Sequence, residues 1–383
     1  MPLVPARPSY IDWVALLCAL ALSFLGLTTM TSFEPQDPFF VRQALWIGIG
    51  LIVFFTASRI DWRFLRRTGV ALGFWLAVVA LLGLLVVVGH TAQGAKSWFD
   101  LGGVGLQPTE LAKLALIVLL AKYFSRRHIE IANIRHILVS GAYAGVLFML
   151  VTLQPDFGSA VIIACIWFGM ALLSGLSRTH LFAVIGAGLV LFGGLWFFGF
   201  HDYQKQRIIS FFNPTDVHGA GYNAYQSTVA VGSGQLLGKG IGYGTQSRLR
   251  FLPQFQTDFI FAAFAEEWGF LGVVLLLGLY GILAWRMLRA ASRGASNFET
   301  LFALGVLSWL MAHVILHVGI NMGLLPVTGT TIPFMSYGGS HLLVEFLALG
   351  MLSGMSRYAR AAHPESLERD WQGGYDALKG ILR

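Results

Sequence analysis

The sequence predicts an all-α polytopic membrane protein, with about ten transmembrane helices and one large extracytoplasmic loop between helices 7 and 8. Three observations predict it. Hydrophobic residues fill 56% of the 383 positions and charged residues only 12%, against about 25% charged in soluble domains. Ten apolar runs of roughly membrane length follow one another, at about 11–30, 41–57, 70–88, 109–124, 136–153, 157–173, 181–200, 259–285, 298–321 and 340–356. Basic residues collect in alternate connections between those runs, as the positive-inside rule requires of a chain that weaves through a bilayer.

The first run is long enough to span a bilayer and no small-residue cleavage pattern follows it, so it reads as a retained helix and not a signal peptide. With the N-terminus in the cytoplasm, Arg7, the connections carrying Arg59 to Arg67, Lys122 to Arg135, Arg178 and Arg286 to Arg293, and the tail hold 18 of the 26 basic residues. The short outer loops carry only Arg42 and Lys96. Both termini are therefore expected in the cytoplasm, and the net charge of +7 is an orientation signal with no nucleic-acid footprint. Cys18 and Cys165 lie inside apolar runs, which leaves no disulfide framework.

The acids run the other way: 11 of 19 fall on the outer side or in outer halves of helices, so the chemistry should face outward. The longest outer segment, 201–257, mixes glycine and aromatic residues with Lys205, Arg207, Lys239, Arg248 and Arg250. A connection of that length is usually functional or disordered. Its aromatics argue for an ordered, partly membrane-lying structure. Residues 358–383 read as a short polar cytoplasmic tail.

Polar residues at membrane depth mark the candidate site, because a charge there costs several kcal/mol and is functional by default. Asp258 stands where the long polar segment turns into an apolar helix. With a helix start near Thr257, Glu266 lies about two turns, roughly 12 Å, below it, and Glu267 points to the opposite face. Pro108 opens another helix, on which Glu110 and Lys113 share a face at i,i+3. They either neutralise each other or present Lys113 to an anion. Gln154-Pro155-Asp156-Phe157-Gly158 is a tight corner whose Asp156 suits a helix cap. His313 and His317 are four apart, but Val314 rules out the zinc-protease His-Glu-x-x-His pattern, so packing or hydrogen bonding is expected. His341 and Glu345 read as a buried pair. The segment 321–340 carries two prolines and four glycines, and irregular backbone at this depth needs protein or a wet cavity to satisfy its amides.

Taken together, Gly94-Ala95-Lys96-Ser97-Trp98, Gln107-Pro108-Thr109-Glu110 with Lys113, Gln154 to Gly158, Gly219-Ala220-Gly221-Tyr222, Thr257 to Phe261 with Glu266-Glu267, and Pro326 to Ser340 resemble the shape, elongation, division and sporulation (SEDS) family. Gly244-Thr245-Gln246-Ser247 and Phe251-Leu252-Pro253 look more like its RodA branch than its FtsW branch. Gln256, His341 and Ser97 depart from residues frequent in the family. The match spans nearly the whole chain, 1–383, as a single membrane domain.

The resemblance implies a multi-pass peptidoglycan glycosyltransferase of the bacterial inner membrane, serving cell elongation and shape. It would polymerise lipid II into undecaprenyl-linked glycan on the outer face with inversion at the anomeric carbon, beside a class B penicillin-binding protein and elongation-complex proteins such as MreC and MreD. By the same analogy Asp258 is catalytic, and Lys96, Trp98, Glu110, Lys113 and Asp156 line its cavity. Arg207 and Arg248 are candidates for the phosphate charge, and Ser336 and Tyr337 for substrate contact. Asp258 is a base for the sugar hydroxyl or a ligand for a divalent cation, Mg2+ or Mn2+. Two other classes suit ten helices with intramembrane charges: a lipid II flippase, and a non-catalytic scaffold for the penicillin-binding partner.

Overall fold

The computed structural model describes residues 11–31, 38–92, 95–100, 105–125, 134–200, 202–212, 221–249 and 251–357. In chain order the helices are α1 (Trp13–Thr31), α2 (Pro38–Ala57), α3 (Thr68–Val88), α4 (Pro108–Ser125), α5 (Ile134–Leu153), α6 (Phe157–Leu173), α7 (Arg178–Gly194), α8 (Asp202–Phe212), α9 (Tyr222–Ser233), α10 (Thr245–Arg248), α11 (Ile260–Ser292) and α12 (Asn297–Asn321). A last helix, α13, covers 339–357. Each of the ten apolar runs lies on one of them. Among the described residues seven helices are long and apolar enough to cross a membrane, and α6 is apolar but shorter. The chain is a multi-pass helical membrane protein.

Helix α4 is the strut of the bundle. Apolar residues occupy all of its faces and fifteen of its eighteen residues are buried, the pattern of a helix enclosed on every side. It packs against α3, α5, α6 and α12, while α11 bridges α12 and α1. Helix α7 is the opposite case and buries none of its residues.

Two features depart from a simple bundle. The second outer connection forms a small antiparallel sheet of β1 (His90–Ala92), β2 (Ala95–Asp100) and β3 (Gly105–Leu106), with Trp98 opposite His90 and Phe99 opposite Leu106. The segment 201–257 carries α8, α9 and α10. Its residues 201, 213–220 and 250, like the tail 358–383, lie outside the described residues.

Helix α11 starts at Ile260, three residues later than the sequence suggested. The amides of Thr257, Asp258 and Phe259 all turn onto Gln254 O, at 3.1, 3.1 and 3.3 Å, so Asp258 sits in a turn ahead of the helix. The helix then breaks at Gly269 (φ 65°, ψ −167°). Chain from the preceding loop fills the break: Lys239 and Gly240 amides bond to the carbonyls of Glu266 and Glu267, and Phe270 and Leu271 amides bond to those of Gln235 and Leu236. A Cβ on Gly269 would come 2.2 Å from Gly238 N, so only glycine admits so close a backbone.

Candidate functional site

Asp258 is fixed by its backbone. Its amide bonds Gln254 O, and its carbonyl accepts from Asn321 Nδ2 at 3.0 Å. The Asn321 carboxamide also accepts from Ala262 N at 3.1 Å, so one side chain at the end of α12 ties the Asp258 turn to the start of α11. On the other side, Ser336 Oγ donates to Thr257 O at 2.8 Å and Tyr337 N to Gln256 O at 2.9 Å. Ser336 and Tyr337 therefore clamp the turn, and Gln43 of α2 holds the clamp through Ser336 O and Gly338 N.

The segment 328–330 passes between Asp258 and Gly158 at the start of α6. Gly329 (φ 72°) lies so close that a Cβ would stand 3.3 Å from Asp258 Oδ2, and a Cβ on Gly158 would stand 2.8 Å from Thr328 O. Two buried histidines hold this segment from behind. His317 Nδ1 lies 2.7 Å from Thr330 O and His313 Nδ1 lies 3.0 Å from Thr331 O. A carbonyl only accepts, so in both rings Nδ1 carries the proton. The pair bonds backbone, in line with the hydrogen-bonding expectation.

Asp156 caps α6, accepting from Ser159 N at 3.0 Å, and its other oxygen accepts from Gln107 Nε2 at 3.2 Å. Gln107 N in turn donates to Ser340 Oγ at 3.1 Å, and Ser340 Oγ donates to Gly105 O at 3.1 Å, linking the small sheet to α13. Trp98 stacks over Gly105 in that sheet. The Lys96 side chain lies outside the described ones.

Beneath the two aspartates is a closed charge network. Lys113 Nζ lies 2.8 Å from Glu110 Oε1 and 3.3 Å from His313 Nε2, whose free lone pair accepts from it. Glu110 Oε2 meets His341 Nδ1 at 2.9 Å, and the other ring nitrogen stands 2.8 Å from Glu345 Oε1, a close ionic contact and not an aligned hydrogen bond. Glu345 Oε2 accepts from Phe334 N at 2.8 Å. All five side chains are buried. Glu110, His313 and His341 come close enough to suggest a metal centre. The Lys113 ammonium, in contact with two of them, already supplies the cation, so the donor set does not fit one. Lys113 is buried and paired with Glu110 inside this network.

Burial pushes Asp258 up to about 6, with the nearby Asp156 charge adding to the rise and the Thr257 hydroxyl and Arg207 opposing it. Asp258 precedes the helix in a half-buried turn, where desolvation outweighs the pull of the helix N-terminus. Asp156 is also raised by burial, against the Ser159 amide and the Lys113 charge. Arg207 is exposed on α8, with its charge felt at Asp258. Arg248 is exposed on α10, and among the described residues no hydrogen bond or ion pair joins it to Asp258.

Glu266 and Glu267 turn out to serve the loop. Glu266 Oε1 accepts from Lys239 Nζ at 2.6 Å and from Thr245 N at 2.9 Å, and Glu267 Oε1 accepts from Gly242 N at 2.8 Å. Both address the same wrapped strand of chain, so the expected opposite-facing arrangement does not hold. Asn321 and Gln43 carry positioning roles the sequence reading did not assign. Their signal was a carboxamide inside an apolar run, where an unpaired polar group is unfavourable.

Comparison with known proteins adds the following. The family of FtsW, RodA and SpoVE cell cycle proteins matches residues 9–361. The chain is 36% identical over 352 residues to the peptidoglycan glycosyltransferase MrdB of Escherichia coli K12, covering 90% of this chain and 92% of that one. It is 35% identical over 363 residues to a probable peptidoglycan glycosyltransferase FtsW of Halothiobacillus neapolitanus, covering 89% and 85%. Among solved structures, a chain of a peptidoglycan synthase complex that coordinates polymerization and crosslinking superposes with TM-score 0.78 at 31% identity, over 91% of this chain and 98% of that chain. The rod shape determining protein RodA of Thermus thermophilus superposes with TM-score 0.68 at 30% identity, over 91% and 97%.

Proposed function

The chain belongs to the FtsW, RodA and SpoVE family, and from that premise we infer that it is a peptidoglycan glycosyltransferase whose chemistry is centred on Asp258. The observation that carries the assignment of Asp258 is its placement: a carboxylate in a turn pinned from three directions, half-buried, with a raised pKa of about 6. A base of that pKa is ionised at neutral pH yet still accepts a proton readily. The reaction joins a sugar hydroxyl of one lipid II to the anomeric carbon of another. The new glycosidic bond forms as the bond to undecaprenyl pyrophosphate breaks, with inversion. Asp258 takes the hydroxyl proton, and the leaving pyrophosphate keeps the electron pair.

Positive charge near the leaving group comes from Arg207, with Lys96 and Arg248 as further candidates on the outer loops. Lys113, enclosed by Glu110 and His313, acts at a distance by holding the floor beneath Asp156 in place. In the alternative role the Asp258 carboxylate would hold a hard divalent cation, Mg2+ or Mn2+, which prefers carboxylate and phosphate ligands. Such an ion would supply charge to the pyrophosphate. The distribution of basic residues supports a site on the outer side of the bacterial inner membrane with both termini in the cytoplasm, and a class B penicillin-binding protein as the crosslinking partner is in keeping with the likeness to a complex that coordinates polymerization and crosslinking. The likeness to MrdB and to a rod shape determining protein supports a role in elongation, for which MreC and MreD are the further partners in this reading.

Glycan synthesis from lipid II tests this, using purified protein with and without its penicillin-binding partner, in Mg2+ or Mn2+. Polymer from the wild type and none from folded Asp258→Asn is the expected result. Transport of lipid II across liposomes without any polymer would overturn it.

A further inference from the structure

At the far end of α11 from Asp258 lies a second cavity, of about 90 Å³, where α1, α2, α11 and α13 converge. That is several times the ~10–15 Å³ one water needs. Its floor is apolar, with Phe54, Met287 and Leu352, and its mouth is basic, with Arg286, Arg289 and Arg293. Arg286 is already committed: its Nε lies 2.9 Å from both oxygens of Asp12. That pair leaves Arg289 and Arg293, with the Ser353 and Ser356 hydroxyls, as the remaining polar lining. The mouth therefore carries an excess of two positive charges.

A second feature fixes the depth of this mouth. Trp285 is 54% exposed, and the guanidinium groups of Arg286 and Arg289 lie 5.6 and 5.4 Å from its ring centroid. An exposed tryptophan flanked by arginines at the end of a membrane helix belongs at the headgroup level. A basic mouth at that depth over an apolar floor between helices suits one class of ligand: the phosphate headgroup of an anionic lipid. Nothing in the glycosyltransferase chemistry uses these residues.

We propose that this cavity is a binding site for the phosphate of an anionic phospholipid of the cytoplasmic leaflet, held by Arg289 and Arg293. The site is separate from the Asp258 centre, so the test does not depend on activity. Purified protein in nanodiscs of phosphatidylethanolamine doped with phosphatidylglycerol or cardiolipin would be released into native mass spectrometry and its retained lipids counted. One anionic lipid is expected to remain preferentially bound. In the Arg289→Gln/Arg293→Gln variant its affinity should drop about 30-fold, a factor of about five for each arginine. The Arg67→Gln/Arg178→Gln variant removes two exposed charges outside the cavity and should retain the lipid as wild type does. Equal loss in both variants, or equal retention of anionic and zwitterionic lipid by the wild type, would overturn the site. A thermal shift produced by inorganic phosphate alone, with no preference among lipids, would also overturn it in favour of a free anion. Wild-type unfolding temperature in the cavity variant excludes misfolding as the cause.

Discussion

Asp258 carries the sharpest prediction at the scale of single residues. Its folded pKa of about 6 lies above the roughly 3.9 of an unfolded aspartate. Such a group favours the folded state most below pH 3.9, and that contribution is lost as pH rises through about 6. Asp258→Asn is therefore expected to abolish polymerisation by about 10²-fold or more, yet to raise the unfolding temperature at pH 7.5 and leave it unchanged near pH 4. The wild-type rate should fall on the acid side with an apparent pKa near 6, read from a pH profile of glycan synthesis. Lys113→Met should instead destabilise by about 3–5 kcal/mol, because it leaves Glu110 buried beside Glu345 with His341 alone between them. Thermal unfolding in detergent measures this, and adding Glu110→Leu should recover part of the loss. Asp258 was legible in the sequence because a carboxylate entering an apolar run has few structural excuses. Asn321 and Gln43 were not, because their work is done on backbone atoms brought from 63 and 293 positions away.

At the scale of elements, the apolar runs located the helices well, since burial in lipid writes itself directly into composition. Helix α11 is the exception. Its apolar run continues through Gly269, and periodicity cannot register a break whose hydrogen bonds are supplied by another part of the chain. Glu266 is the electrostatic pin of that insertion, so Glu266→Gln should loosen the wrapped loop. Amide exchange across 239–246 is expected to speed up by roughly 10- to 100-fold, from the ~1.5–3 kcal/mol of a charged hydrogen bond, with α4 unaffected. Gly329→Ala addresses the other irregular element. A side chain at φ 72° costs about 1–2 kcal/mol and crowds Asp258 Oδ2, so turnover should fall while the protein stays folded.

At the scale of the whole molecule, the two ends of the bundle are chemically distinct. Acids, broken backbone and the small sheet gather at one end, and arginines around a small cavity at the other. Helix α4 joins them, and its burial has a consequence for how the protein is made. With Glu110, Lys113 and Lys122 it is not among the helices apolar enough to cross a membrane alone, since charged side chains oppose insertion of a lone helix. The histidines that receive Glu110 and Lys113 are synthesised some two hundred residues later, on α12 and α13. During biosynthesis α4 is therefore expected to wait at the translocon or the bilayer rim until the C-terminal helices arrive to accept its charges. Chains truncated before α12 should leave α4 accessible to water-borne thiol reagents at an engineered cysteine, and full-length chains should protect it. The candidate site is then expected to be the last part of the molecule to come into existence, and a chain released early should not present a partial one.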